Sequence, residues 1–211
     1  MDSPPVLVLA SASPRRADLL ASLGVAFERR PADVDERRRE DETPYDYVER
    51  LAESKAFAVP TSDSDLVLAA DTVVLLDSKL LGKPGNRADA AAMLRSLAGR
   101  EHVVLTGVCL RDASAGKSAS EVDRTRVAMG PLSEAEIAWY VATGEPDDKA
   151  GSYAMQGLGA LFVERIQGNA SNVIGLPLPV VYRLFLRLGH DLKALCAARE
   201  GVNPVDRLLR A

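Results

Sequence analysis

Apolar runs and amphipathic stretches alternate along this chain, and their order predicts most of its elements. Val6 to Ala10 is short, unbroken and apolar, the pattern of a buried strand. Ser13-Pro14 then starts a helix, because Ser favours the N-cap and Pro suits the first helical position, where its missing N–H had no partner. That helix runs to about Leu23, and Gly24 supplies a left-handed stop. Val25 to Arg29 reads as a short strand, and the mixed-charge run Asp33 to Glu42 as a solvated loop. Thr43-Pro44 opens a second helix to about Val59, with Lys55 in its last turns. Leu66 to Ala70 is a second buried strand ending at Asp71-Thr72. Val73 to Leu76 continues apolar, and Asp77-Ser78 turns the chain into Lys79 to Leu81 as a hairpin. Asn86 caps an alanine-rich helix to Ala98, His102 to Leu110 and Ser120 to Met129 are strands, and Ser133-x-x-Glu136 is a capping box before Ile137 to Thr143. A glycine-rich loop follows from Glu145 to Gly159. Ala160 to Ile166 reads as a strand, and Leu178 to Leu188 as a helix.

With 211 residues and 47% hydrophobic content, the chain can bury one full core. It shows no repeat and no linker. The expectation is a single α/β unit to about residue 190, with mixed strand directions, followed by a helical tail over residues 191–211. A net charge of -4 disfavours nucleic acid as a partner, so any phosphate binding must be local. Cys109 and Cys196 form no C-x-x-C, which fits a reducing cytoplasm rather than a zinc site or disulfide framework. The start has no basic n-region and no apolar run spans a bilayer, so neither secretion nor a membrane is expected.

Several familiar motifs are absent. Gly116-Lys117-Ser118 lacks the earlier glycine of a P-loop, since Arg111 stands there, and Phe162 replaces the third glycine of a dinucleotide fingerprint after Gly157 and Gly159. His102 and His190 cannot form a zinc cluster and read as structural. What remains is the strand-to-helix corner, where Ser11, Ser13, Arg15 and Arg16 gather with free backbone N–H groups. By spacing alone it fits either a phosphate site or an ordinary capped helix with two solvated arginines. Asp71 stands just past a strand, as a ligand-facing carboxylate or as a turn residue. With Glu36 it would suit Mg²⁺ or Mn²⁺. Lys55 and Lys83 would balance polyphosphate charge, and Gln156 offers both edges needed to read a nucleobase.

In combination these residues resemble the Maf, or septum-formation-inhibitor-like, nucleoside triphosphate pyrophosphatases. The matching pieces are L-A-S-A-S-P-R-R (Leu9 to Arg16), V-D-E (Val34 to Glu36), the Lys55 helix, A-A-D-T-V-V (Ala69 to Val74) and G-K-P (Gly82 to Pro84). They continue with L-T-G-V (Leu105 to Val108), G-E-P-D-D-K-A-G-S-Y-A-M-Q-G (Gly144 to Gly157) and V-I-G-L-P-L (Val173 to Leu178). The resemblance implies a two-lobed α/β fold around a cleft, a mixed sheet flanked by helices similar to inosine triphosphate pyrophosphatases, and a homodimer. It also implies metal-dependent cleavage of a nucleoside triphosphate between the α and β phosphates. Carried over by residue, Ser11, Ser13, Arg15 and Arg16 would hold substrate, and Asp71, Glu36, Lys55 and Lys83 would serve catalysis, Asp71 and Glu36 at the metal. The run from Asp148 to Gln156 resembles the branch acting on dTTP and UTP, with Arg15, Thr72 and Gln156 near the base. Ala154, Met155 and Ala170 depart from the residues usual in the family. A nucleotide-binding regulator of septum formation with little turnover is the alternative.

Overall fold

Side-chain alternation along the first strand sets the layers. In the computed structural model, which describes residues 6–62 and 65–196, the order is β1 (Val6–Leu9), α1 (Pro14–Ser22), β2 (Glu28–Arg29), α2 (Pro44–Ala58), β3 (Asp65–Leu76), β4 (Lys79–Leu81) and α3 (Arg87–Leu97). β5 (Glu101–Asp112), β6 (Lys117–Met129), α4 (Glu134–Ala142), β7 (Val163–Gln167), α5 (Ala170–Ile174), α6 (Leu178–Arg187) and α7 (Leu192–Leu195) complete it. Leu7 and Leu9, with Leu66, Leu68 and Ala70 of β3, bury against Leu20 of α1 and Val181, Leu184 and Phe185 of α6. Val8, Val67 and Ala69 point the other way, against Ala52 and Ala56 of α2. A further cluster joins Val74, Leu76 and Val104 to Leu94, Leu97, Ile137 and Tyr140 of α3 and α4. Each fully buried Leu or Phe stabilises the fold by roughly 1.5–3 kcal/mol.

The sheet has seven strands in the order β2-β1-β3-β5-β6-β7, with β4 paired to β3. β1 runs parallel to β2 and β3, while β3 to β7 pair antiparallel. This is the expected mixed α/β sheet flanked by helices. The predicted caps form too. Thr43 Oγ1 accepts from Asp46 N–H, Asn86 Oδ1 from Asp89 N–H, and Ser133 with Glu136 makes the full capping box.

The structure corrects several expectations. Leu66–Ala70 and Val73–Leu76 are one strand, so Asp71 lies in mid-strand rather than beyond a strand end. The reason is β5, which pairs with β3 continuously from Leu66↔Asp112 to Leu75↔Val103 and holds Asp71-Thr72 in the ladder. Ala160 to Ile166 is not all strand: Leu158–Phe162 is a 3₁₀ turn, and β7 begins at Val163. The short helix α5 had no sequence signal strong enough to predict it. Ser13 occupies the N-cap of α1, yet its side chain makes no capping hydrogen bond. Within the charged run from Asp33, Glu42 is buried rather than solvated. It pairs with Arg50 and accepts from Arg39 N–H, and the Arg50 hydrogen bond outweighs burial to hold its carboxyl down to about 2. Of the expected tail, α7 is described and an isolated bridge joins Cys196 to Val25; residues 197–211 lie outside the described residues.

Candidate active site

The sheet edge itself makes the cleft. On one edge of β3, β1 pairs with Asp65 to Leu68 and β4 with Val74 to Leu76. Among the described residues no strand pairs with that edge from Ala69 to Val73, and Asp71 sits in the gap. The chain leaves β1 at this gap to begin α1, so the N-terminus of that helix faces the opening. Divergence of neighbouring strands is where open α/β sheets place ligands.

The resulting cavity, about 580 Å³, brings together every residue given a catalytic or substrate role by the sequence: Ser11, Ser13, Arg15 and Arg16, then Glu36, Lys55, Asp71, Thr72, Lys83 and Gln156. At its floor the buried ammonium of Lys55 lies 2.6 Å from Asp71 Oδ1 and 2.6 Å from Glu36 Oε1. α2 delivers Lys55, β3 delivers Asp71, and the Tyr47 hydroxyl of α2 donates to the Glu36 carbonyl at 2.8 Å. Burial pushes the Glu36 pKa up, but the Lys55 hydrogen bond, with the charges of Lys55, Lys83 and Arg16, brings it below the usual value. The second oxygens of both carboxylates take no hydrogen bond from the described residues.

α1 supplies the opposite wall. Arg16 donates Nε to Gly175 carbonyl at 2.7 Å, one terminal nitrogen to Ser11 Oγ at 3.2 Å and the other to Thr72 Oγ1 at 3.0 Å. Burial pulls its pKa below the usual guanidinium value, and the charge of Asp71 opposes that shift. Gly175 caps α5 at φ 117°, and a Cβ there would meet Thr72 Oγ1 at 3.4 Å and strain the backbone. Thr72 shares a hydroxyl contact of 3.0 Å with Thr106, which donates to the Asn172 carbonyl. Arg15 reaches across the mouth to Asp148, Nη1 to Oδ2 at 3.0 Å. Lys83 and Gln156 stand exposed at the rim. Sequence reading gave no individual role to Asp148, Tyr47 or Gly175; of these, only Asp148 and Gly175 fell inside quoted motifs.

Tyr153 forms part of the far wall, its hydroxyl 2.8 Å from His102 Nε2, and His102 Nδ1 is buried without a partner. Burial holds the imidazole neutral, with its pKa lowered to about 4. The unfolded chain takes up that proton near pH 6.5, the folded chain only near 4. Acid therefore costs stability between these values, by roughly 3 kcal/mol in total, and nothing further below them. Urea unfolding from pH 7 to 4 should show His102→Gln with a shallower loss than the native chain. Equal slopes would sink this account.

A mixed α/β sheet whose split edge gathers the buried Asp71, the exposed Glu36, two lysines and an arginine-bearing helix N-terminus has the charge arrangement that suits a polyphosphate. The model of the family described as "Maf-like protein" matches residues 6–188. A protein of Anaeromyxobacter dehalogenans named dTTP/UTP pyrophosphatase is 56% identical over 190 residues, covering 89% of this chain and 96% of its own. Proteins of the same name from Anaeromyxobacter sp. strain Fw109-5 and Syntrophus aciditrophicus are 53% and 49% identical; they cover 88% and 87% of this chain and 91% and 90% of their own. The chain belongs to the Maf family.

Proposed function

We propose that this chain hydrolyses nucleoside triphosphates, dTTP and UTP foremost, to the monophosphate and pyrophosphate. The observation that carries the reading is the Lys55 ammonium held between Asp71 and Glu36 in a cleft whose other wall is cationic. The names of the relatives support the same substrates and reaction. The triphosphate lies between the Ser11–Arg16 corner and Lys83, where hydroxyls, N–H groups and Arg15 meet its oxygens. Substrate displaces Asp148 from Arg15. Asp71 takes the proton of an attacking water, and Lys55 donates to oxygens on which charge develops. Arg16 adds charge while holding Ser11 and Thr72 in place. Gln156, at the rim with Arg15 and Thr72, reads the base.

The donor set fits a hard divalent cation: two carboxylates, each with an oxygen left over, are what Mg²⁺ or Mn²⁺ takes beside substrate phosphates. Asp71 and Glu36 would hold it, and when bound it neutralises charge on the phosphates. A cytoplasmic location and a homodimer belong to the same reading. Among the described residues no helix is long and apolar enough to cross a membrane.

The test is pyrophosphate release from dTTP, UTP, the purine triphosphates and 7-methyl-GTP with Mg²⁺ or Mn²⁺. Monophosphate and pyrophosphate from dTTP and UTP are expected. Orthophosphate release instead would overturn the bond assignment. Tight binding with no turnover would favour a regulator.

A further inference from the structure

The loop carrying Gln156 is anchored at both ends by one pair of side chains behind the cleft. Tyr140, fully buried in α4, donates its hydroxyl to Glu145 Oε1 at 2.7 Å and accepts from Ala154 N–H at 3.0 Å. Glu145 completes the frame, Oε1 accepting from Gly159 N–H at 3.0 Å and Oε2 from Leu158 N–H at 3.0 Å. Two residues before Gln156 and two residues after it, the main chain is thus tied to the same hydrogen-bonded unit. The loop is moulded closely on that unit. A Cβ on Gly157 would meet Glu145 Oε2 at 2.3 Å, and one on Gly159 would meet Tyr140 Oη at 2.6 Å and Ala154 backbone at 2.8 Å. Glycine is the residue that permits such an approach. Burial raises the Glu145 pKa, but the N–H donors, Tyr140 and Lys149 bring it below the usual value, so it serves as an acceptor at neutral pH.

Neither side chain lines the cleft, whereas Ala154, Met155 and Gln156 do. We propose that Tyr140 and Glu145 are positioning residues for nucleobase selection: they hold the 154–159 backbone so that the Gln156 amide presents a fixed edge to the base. This rests on the reading of Gln156 as the base-reading residue. A freely moving loop glutamine would hydrogen-bond to any base at the cost of its ordering entropy. A held one discriminates between bases by the mismatch it imposes.

Selectivity, rather than rate, is therefore the readout: the ratio of kcat/KM for dTTP to that for a purine triphosphate, in the native chain, Tyr140→Phe, Gln156→Ala and the double variant. Tyr140→Phe keeps the ring and its packing and removes only the hydroxyl. It is expected to lower the ratio ~10-fold, since the bond to Glu145 and the bond from Ala154 both go with the hydroxyl, through KM for dTTP with kcat little changed. In the Gln156→Ala background the same substitution should change the ratio no further. Glu145→Gln, which returns one donor where only acceptors fit, should lower the ratio in the same way, and Glu145→Asp should recover less than half of it. An unchanged ratio in Tyr140→Phe, or an equal loss on every nucleotide, would overturn the positioning role while leaving the function of Gln156 standing. A Gln156→Ala variant as selective as the native chain would instead overturn the reading of Gln156, and this inference with it.

Discussion

Asp71→Asn is expected to lower kcat by ~10²–10⁴, the range lost when a positioned acid or base is removed. The amide is nearly isosteric, so β3 and its pairing with β5 have no reason to change. It cannot take a proton from water, and it leaves the Lys55 ammonium with Glu36 as its remaining ionic partner, 2.6 Å away. Nucleotide affinity is expected to hold or rise, since one negative charge leaves a cleft that must receive a polyanion. Single-turnover kinetics and equilibrium binding of a non-hydrolysable analogue separate the two effects. Native turnover in the variant would remove Asp71 from the mechanism. Lost affinity with unchanged kcat would show instead that the carboxylate serves binding.

Gly107→Ala is expected to destabilise the fold by about 3 kcal/mol, at the upper end of the range for overpacking. A Cβ on Gly107 would lie 2.3 Å from the Val48 carbonyl oxygen and 2.8 Å from Glu49 N, both backbone atoms of α2 that no rotamer change can move. Gly107 also pairs directly with Asp71 across the β3–β5 ladder. α2 must therefore lift off the sheet at the level of Asp71, and it carries Lys55 with it. Turnover should fall along with stability, even in the fraction that remains folded. Urea unfolding and activity at a temperature well below the transition check both parts. A variant of native stability and turnover would show that the close approach of α2 has no role in placing Lys55.

Local signals settled much of this molecule. The unbroken apolar run of β1, the Thr43, Asn86 and Ser133 caps, and the Asp77-Ser78 hairpin turn all act within a few residues of themselves, so one sequence suffices to read them. The short motifs also marked the candidate side chains that the cleft brings together, from Ser11 to Gln156, though not Tyr47. Distance along the chain hid the rest. That Asp71 lies in mid-strand depends on β5, some 35 residues later, backing it through the ladder. The exposure of that site depends on a gap between β1 and β4 that neither strand encodes alone. The 3₁₀ turn at Leu158–Phe162 replaces an expected strand because the Glu145 carboxylate draws in the N–H groups of Leu158 and Gly159. Sequence by itself thus determined which residues carry charge, caps and apolar faces. Only the tertiary structure decided which of them meet, because a hydrogen bond or ion pair acts over about 3 Å and the chain brings partners such as Arg16 and Gly175 there from 159 positions apart.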